Sequence, residues 1–136
     1  MITEEEGRRL AGEYADAIKI WEAAGRRTIS ARQALEDRGV ALKEKEASVA
    51  KTVQEMFDGR NVRATVDQRE TEVRIVLAAD DGWVALKAIH DDARRLLQEH
   101  TLESEVARER CQQLRATMYF LASLGGGTKT APDVVS

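Results

Sequence analysis

The chain has 136 residues, enough for about one domain, and 33% of them are charged whereas 4% are aromatic and one is proline. This composition is typical of a helix-rich chain and excludes a β-sandwich or a disordered polymer. The net charge of -3 is spread evenly along the sequence, so neither the basic face of a nucleic-acid binder nor the acidic face of a DNA mimic is expected.

The first predicted helix begins at Thr3, which is followed by acidic residues and has Glu6 at the capping-box position. Apolar or small residues then recur at alternating steps of four and three, which is the heptad pattern of a coiled-coil seam. Two successive steps of four meet near Gly39, and such an insertion locally unwinds a supercoil. The sequence "DGRN" ends the helix after Phe57. The predicted seam comprises Leu10, Tyr14, Ala17, Trp21, Ala24, Thr28, Ala31, Leu35, Gly39, Leu42, Glu46, Val49, Val53 and Met56.

The stretch "VRATVDQRETEVRIVL", from Val62 to Leu77, alternates apolar and polar residues on both sides of "DQRE". Alternation with a period of two predicts β-strands, so we expect a β-hairpin here. In that hairpin Val66, Val73 and Ile75 would lie near the turn or on the apolar positions of the ribbon and form a contact surface.

A second long helix is predicted after "ADDGW", with Asp80 or Asp81 as its N-cap. Thr101 could cap a separate helix, so both a continuous helix and a break at His100 and Thr101 remain open. The glycines after Leu124 should end the helix. The predicted seam comprises Leu86, Ile89, Ala93, Leu96, His100, Ala107, Cys111, Leu114, Met118 and Leu121.

These elements predict a mainly α fold, in which two long antiparallel coiled-coil-like helices are joined by a β-hairpin. Residues 1–124 would form this single domain, and residues 125–136 a flexible C-terminal tail. A pair of helices buries one seam per helix, and an isolated two-stranded ribbon is marginal in water. We therefore expect the monomer to need a partner chain.

The start of the first helix and the end of the second are apolar on more sides than one partner helix requires. In the antiparallel arrangement these two regions meet at the open end, where we expect the principal protein interface, with the hairpin as a second one. The predicted interface residues are Tyr14, Ile18, Ile20, Trp21, Met118, Tyr119, Phe120, Leu121 and Leu124 at the open end, and Val66, Val73 and Ile75 on the hairpin.

The ionisable residues do not form a recognisable catalytic or metal-binding motif. His100 and Glu103 have the reverse order of the Glu-x-x-His motif of di-iron sites, and "GGGTKT" lacks the residue order of a phosphate-binding loop. Cys111, the sole cysteine, is expected to be a small apolar helix residue. We expect no enzymatic activity, no catalytic residue, no metal and no cofactor.

The N-terminal sequence lacks the pattern of a signal peptide, and no apolar run approaches the length of a membrane span. A soluble protein in the cytoplasm, or within an assembled particle, is therefore expected. Its expected partners are other copies of itself and a second protein, with no nucleic acid, membrane or small molecule.

The leading functional hypothesis is a structural or assembly subunit that homo-oligomerises or docks on a larger complex, such as a virion or a secretion assembly. The element order also resembles that of prefoldin β-type subunits, in which a β-hairpin joins two coiled-coil helices. That resemblance implies assembly through the hairpins and binding of client proteins at the open helix ends. A third hypothesis is a small helical inhibitor or adaptor, formed if the second helix breaks at His100 and Thr101.

Overall fold

Three α-helices form the chain in a computed structural model that describes residues 3–135, with side chains described for residues 3–124. They are α1 (Glu4–Gly59), α2 (Val66–Ala79) and α3 (Asp81–Val135). The prediction of a mainly α fold is confirmed. The predicted β-hairpin is wrong, because residues 66–79 are helical and residues 3–135 contain no strand.

A capping box explains why α2 is helical. Thr65 is the N-cap, and its hydroxyl accepts a hydrogen bond from the backbone N–H of Gln68 at 3.1 Å. The Gln68 side chain returns the interaction by accepting from the Thr65 backbone N–H at 2.9 Å. The buried or half-buried apolar residues Val73, Val76 and Leu77 follow helical spacing, which overrides the alternation that suggested strands.

Removing the Thr65 hydroxyl tests this cap. Thr65→Ala should lower the free energy of unfolding by about 1 kcal/mol, because the backbone N–H of Gln68 loses its acceptor at an exposed helix end. Thr65→Ser is the matched control and should unfold close to the parent chain. Urea denaturation followed by circular dichroism measures both, and an equal loss in the two variants would contradict a capping role.

The predicted start and end of α1 are confirmed. Thr3 and Glu6 form a capping box, with the Glu6 backbone N–H donating to the Thr3 hydroxyl at 3.0 Å. At the other end Asn61 adopts a left-handed φ of 55°. Its N–H donates to the Asp58 carbonyl while the Val62 N–H donates to the Phe57 carbonyl, which is the Schellman pattern that ends helices.

Asp80 both ends α2 and caps α3, so these two helices are joined by a single residue. Its carboxylate accepts from the backbone N–H of Trp83 at 2.8 Å, as predicted for an N-cap. The helix α3 then continues through His100 and Thr101 without a break, and its backbone stays helical to Val135, so the predicted end at the glycines after Leu124 is wrong. The predicted flexible tail, 125–136, lies outside the residues with described side chains and stays a prediction.

The residues form two compact units. Unit 1 comprises Met1–Ile29 and Glu99–Ser136, and unit 2 comprises Ser30–Gln98. In unit 1 the α1 and α3 segments are antiparallel, since Thr28 contacts His100 whereas Tyr14, earlier in α1, lies beside Met118, later in α3. Leu10 and Ala17 pack with Cys111 and Leu114. These four buried residues form the core, against which Tyr14, Ile18, Met118 and Leu121 pack.

Unit 2 adds α2 as a third packing element. Its core consists of Val49, Val53 and Leu77, and Val53 is only 1% exposed. Phe57 and Trp83 contact this core, and the Trp83 indole N–H donates to the Glu46 carboxylate at 3.2 Å. This hydrogen bond explains how the charged residue Glu46 occupies a predicted seam position.

Two of the four predicted α3 seam positions in unit 2 are displaced by one residue, whereas Leu86 and Ala93 are half-buried and buried as predicted. Ile89 and Leu96 are exposed, whereas His90 and Leu97 are half-buried in their place. The His90 ring lies against Gly39, where a Cβ atom built on the glycine would be 3.7 Å from the His90 Nε2 atom. Gly39 of α1, which has no side chain, therefore leaves room for the His90 ring of α3.

This contact predicts opposite effects for two substitutions at Gly39. Gly39→Ala should raise the free energy of unfolding by about 0.5–1 kcal/mol, because 3.7 Å is an ordinary contact and alanine favours helix. Gly39→Leu should lower it by about 1–3 kcal/mol, because the longer side chain must displace the ring. Gly25→Ala, at an open site, is the control for helix propensity alone. Equal stability of the two Gly39 variants in urea would refute the close packing.

Candidate interaction surface

An apolar groove runs between α1 and α3 on one side of unit 1. Its volume is about 520 Å³. We call it the Ile20 groove, and its apolar residues are Ile20, Ala24, Leu102, Val106 and Ala107. Ile20, Leu102 and Val106 are 60%, 61% and 58% exposed, respectively. Three large aliphatic side chains thus lie together in contact with water, which is typical of a surface that packs against another chain.

Charged residues border the Ile20 groove at both ends. Arg27 and Glu103 form an ion pair across the two helices at 3.6 Å near one end. A depression that shares Ile20, Ala107 and Arg110 continues toward Glu13 and Asp16 at the other end. The groove therefore has an apolar centre and a polar border, as protein interfaces commonly have.

The helices approach closely behind the groove because the seam of unit 1 contains small residues. Ala17, Ala24, Thr28 and Ala107 are buried there. The Thr28 hydroxyl lies 2.9 Å from the Ala24 carbonyl oxygen and 3.0 Å from that of His100, so one proton is shared between the two helices. This hydroxyl satisfies its hydrogen bonds inside the seam and connects α1 to α3.

A second groove, of about 460 Å³, lies between α1 and α2 in unit 2. Val53 and Val73 form its base, and the exposed residue Val66 lies at its border. The Arg69 guanidinium donates to the Gln54 side chain at 2.9 Å and connects the two helices beside the groove. This groove therefore has one large exposed aliphatic residue, compared with three in the Ile20 groove.

The predicted interface residues occupy different environments in the structure. Tyr14, Ile18, Met118 and Leu121 meet as half-buried residues around the core of unit 1. Ile20, Trp21, Tyr119, Phe120 and Leu124 are exposed on unit 1, and the Arg115 guanidinium lies over the Tyr119 ring at 5.5 Å from its centroid. On unit 2, Val73 packs against the core while Val66 and Ile75 are exposed on α2.

Sequence reasoning does not select Leu102 and Val106, which lie with Ile20 in the groove. The segment "HTLESE" is polar and contains a candidate helix break, so its single leucine does not by itself predict an interface. The i, i+4 spacing of Leu102 and Val106 beside the seam residue Ala107 is the available signal. This spacing places the two residues on one helix face only if α3 is continuous through His100 and Thr101.

Each of the two histidines lies near a carboxylate, and the two are not arranged as ligands of one metal ion. The His100 Nδ1 atom lies 3.2 Å from the Glu103 carboxylate, and the His90 Nδ1 atom lies 3.8 Å from that of Asp91. Among the residues with described side chains, no three histidine, cysteine or acidic residues gather as metal ligands.

Asp80 connects two helices of unit 2. Its carboxylate pairs with Lys45 of α1 at 3.2 Å in addition to capping α3. The backbone N–H of Trp83 and then the Lys45 side chain hold the pKa of Asp80 below its usual value. A carboxyl group with a lowered pKa stabilises the folded state when ionised.

The lowered pKa of Asp80 predicts how its contribution depends on pH. The stabilisation should be complete above about pH 4, the ordinary range of an unfolded aspartate, and should be lost as the pH falls through the lowered pKa. Asp80→Asn keeps a capping oxygen but loses the ion pair with Lys45, so it should be less stable than the parent at pH 7. Asp80→Ala loses both and should be the least stable.

Urea unfolding of the parent and both variants from pH 7 to pH 2 measures these differences. The difference between the parent and Asp80→Asn should shrink toward acidic pH. A difference that stays constant over this range would contradict the assignment to the ionised carboxylate.

No protein-family model matches the chain, and neither a curated protein nor a solved structure matches it significantly. Among the described residues, none of the helices contains an apolar stretch of the length that a membrane span requires.

Proposed function

We propose that this protein is a non-enzymatic assembly subunit that self-associates through the Ile20 groove of unit 1. The observation that carries the proposal is the exposure of Ile20, Leu102 and Val106 side by side between two helices. Burying such side chains contributes about 1.5–3 kcal/mol each. A second helical chain in the groove would supply that burial.

The core of unit 1 supports the same proposal. Two helices alone bury one stripe on each, and several buried positions here are alanine, threonine or cysteine. Small residues bring the helices together but contribute little apolar area. Additional helices on the groove would convert the pair into a bundle with a fuller core, which is the usual way that amphipathic helices become stable.

The two other hypotheses receive less support. The resemblance to prefoldin β-type subunits depends on a β-hairpin, and the corresponding residues form α2. The adaptor hypothesis depends on a break at His100 and Thr101, where α3 is continuous. Self-association depends on neither feature.

Sedimentation velocity of the purified chain tests the proposal. The parent should sediment as a multiple of the 15.1 kDa chain. The double variant Leu102→Gln and Val106→Gln should weaken self-association by roughly a hundredfold or more, because a dimer would lose four buried aliphatic side chains. Glutamine favours helix, so the fold should persist in circular dichroism.

Ile29→Gln is the matched control, because Ile29 is also in unit 1 and is 66% exposed but does not line the groove. It should associate like the parent. A parent chain with a single-chain mass throughout the micromolar range would contradict self-association and favour docking on a different protein. Equal weakening by the control would contradict the assignment to the Ile20 groove.

A further inference from the structure

We propose that two copies pair through the Ile20 groove about a two-fold axis that crosses the helices at Ile20, so that the two α1 segments are antiparallel and face each other. This inference rests on the self-association proposed above and specifies its geometry. A surface that binds itself about a two-fold axis must be complementary to its own reversed image. The Ile20 groove meets that condition on each of its two helices.

The apolar centre satisfies the condition on the axis itself. A residue on a two-fold axis meets its own copy, so a charged residue there would face a like charge. Ile20 is uncharged and 60% exposed, and Val106 and Ala107 line the groove beside it on α3. Pairing of two copies would bury aliphatic side chains from both at this point.

One pair of opposite charges on the groove side of α1 lies symmetrically about Ile20. Glu13 lies seven residues before Ile20 and Arg27 seven residues after it, which is about two helical turns or 10 Å in each direction. In the antiparallel pair Glu13 of one copy therefore lies opposite Arg27 of the other. Because the axis is two-fold, this contact between Glu13 and Arg27 occurs twice in the pair.

A pair of opposite charges on α3 also lies on the two sides of the apolar residues of the groove. Glu103 and Arg110 both line it, and the midpoint between them falls between Val106 and Ala107. The same axis therefore places Glu103 of one copy opposite Arg110 of the other. On each helix a negative and a positive side chain thus lie on opposite sides of the apolar residues of the groove, which favours a second copy over an unrelated partner.

The ion pairs within one chain are compatible with these contacts. Arg27 and Glu103 are 3.6 Å apart, with about half of each side chain exposed. An arginine has five N–H donors, so Arg27 can bind Glu103 of its own chain and Glu13 of the second copy together. Glu13 already accepts from Arg9 at 3.0 Å, and a carboxylate has lone pairs for a second donor.

Single cysteines introduced into a Cys111→Ala parent test the geometry, because Cys111 is the only cysteine and is buried. A disulfide requires Cα atoms within about 7 Å. Ile20→Cys should crosslink to its own copy on mild oxidation, at least about tenfold more than Ile29→Cys, an exposed position outside the groove. Non-reducing gel electrophoresis measures the linked fraction.

A mixture of Glu13→Cys and Arg27→Cys chains provides the second measurement. The mixture should form a crosslinked heterodimer, whereas each chain alone should not, because equivalent cysteines would be separated by about 20 Å along the helices. Sedimentation velocity of the same samples measures whether they associate.

The outcomes separate this inference from the function on which it rests. Associated chains in which the Ile20→Cys variant stays unlinked, or in which Glu13→Cys links to itself, overturn the antiparallel geometry and leave self-association intact. Chains that sediment as single copies overturn both. Links at position 20 and between positions 13 and 27 support the two-fold pairing.

Discussion

The packing of α1 against α3 along small side chains is the constraint on which unit 1 depends. Ala17, Ala24 and Ala107 allow the helices to come close, and the Thr28 hydroxyl hydrogen-bonds between them. Close approach brings Ile20, Leu102 and Val106 to the two sides of one groove instead of burying them. The exposed surface proposed for assembly is thus a consequence of how the two helices meet.

In unit 2, a third helix of the same chain covers apolar residues of α1 and α3. The helix α2 packs against α1 and α3 and completes a core around Val53, which is almost fully buried. The short connection at Asp80 places α2 next to the start of α3, and the ion pair with Lys45 holds that junction against α1. A third helix supplies in unit 2 the burial that unit 1 would obtain from a second copy.

Polar residues in the seams are tolerated where the facing helix provides a partner or space. Glu46 accepts from the Trp83 indole, and Thr28 bonds to backbone carbonyls on both helices. His90 fits against Gly39, although its buried Nδ1 atom has no hydrogen bond and only a carboxylate at 3.8 Å nearby. Such pairings restrict which residues of α1 and α3 can meet, because an unpaired buried polar group costs free energy.

Three helix ends are the features that the sequence by itself determined. The Thr3 cap, the end of α1 at "DGRN" and the Asp80 cap depend on a few neighbouring residues, whose side chains satisfy the free N–H and C=O groups of helix ends. The Thr65 capping box belongs to the same class and is visible as Thr-x-x-Gln. The period-two alternation that follows it predicts strands instead. The structure contradicts the β-hairpin inferred from that alternation and agrees with the capping box.

Tertiary packing decided what the sequence left open. Val62 to Leu77 contains both a period of two and a helical period, and the core around Val53 selects the helical one because Val73, Val76 and Leu77 then pack together. The shift from Ile89 to His90 in the seam requires knowing that Gly39 faces it. The pairing of Leu102 and Val106 with Ile20 likewise depends on the alignment of two helices distant in sequence. Local hydrogen bonds are set by adjacent residues, whereas a groove is set by which faces of the helices meet.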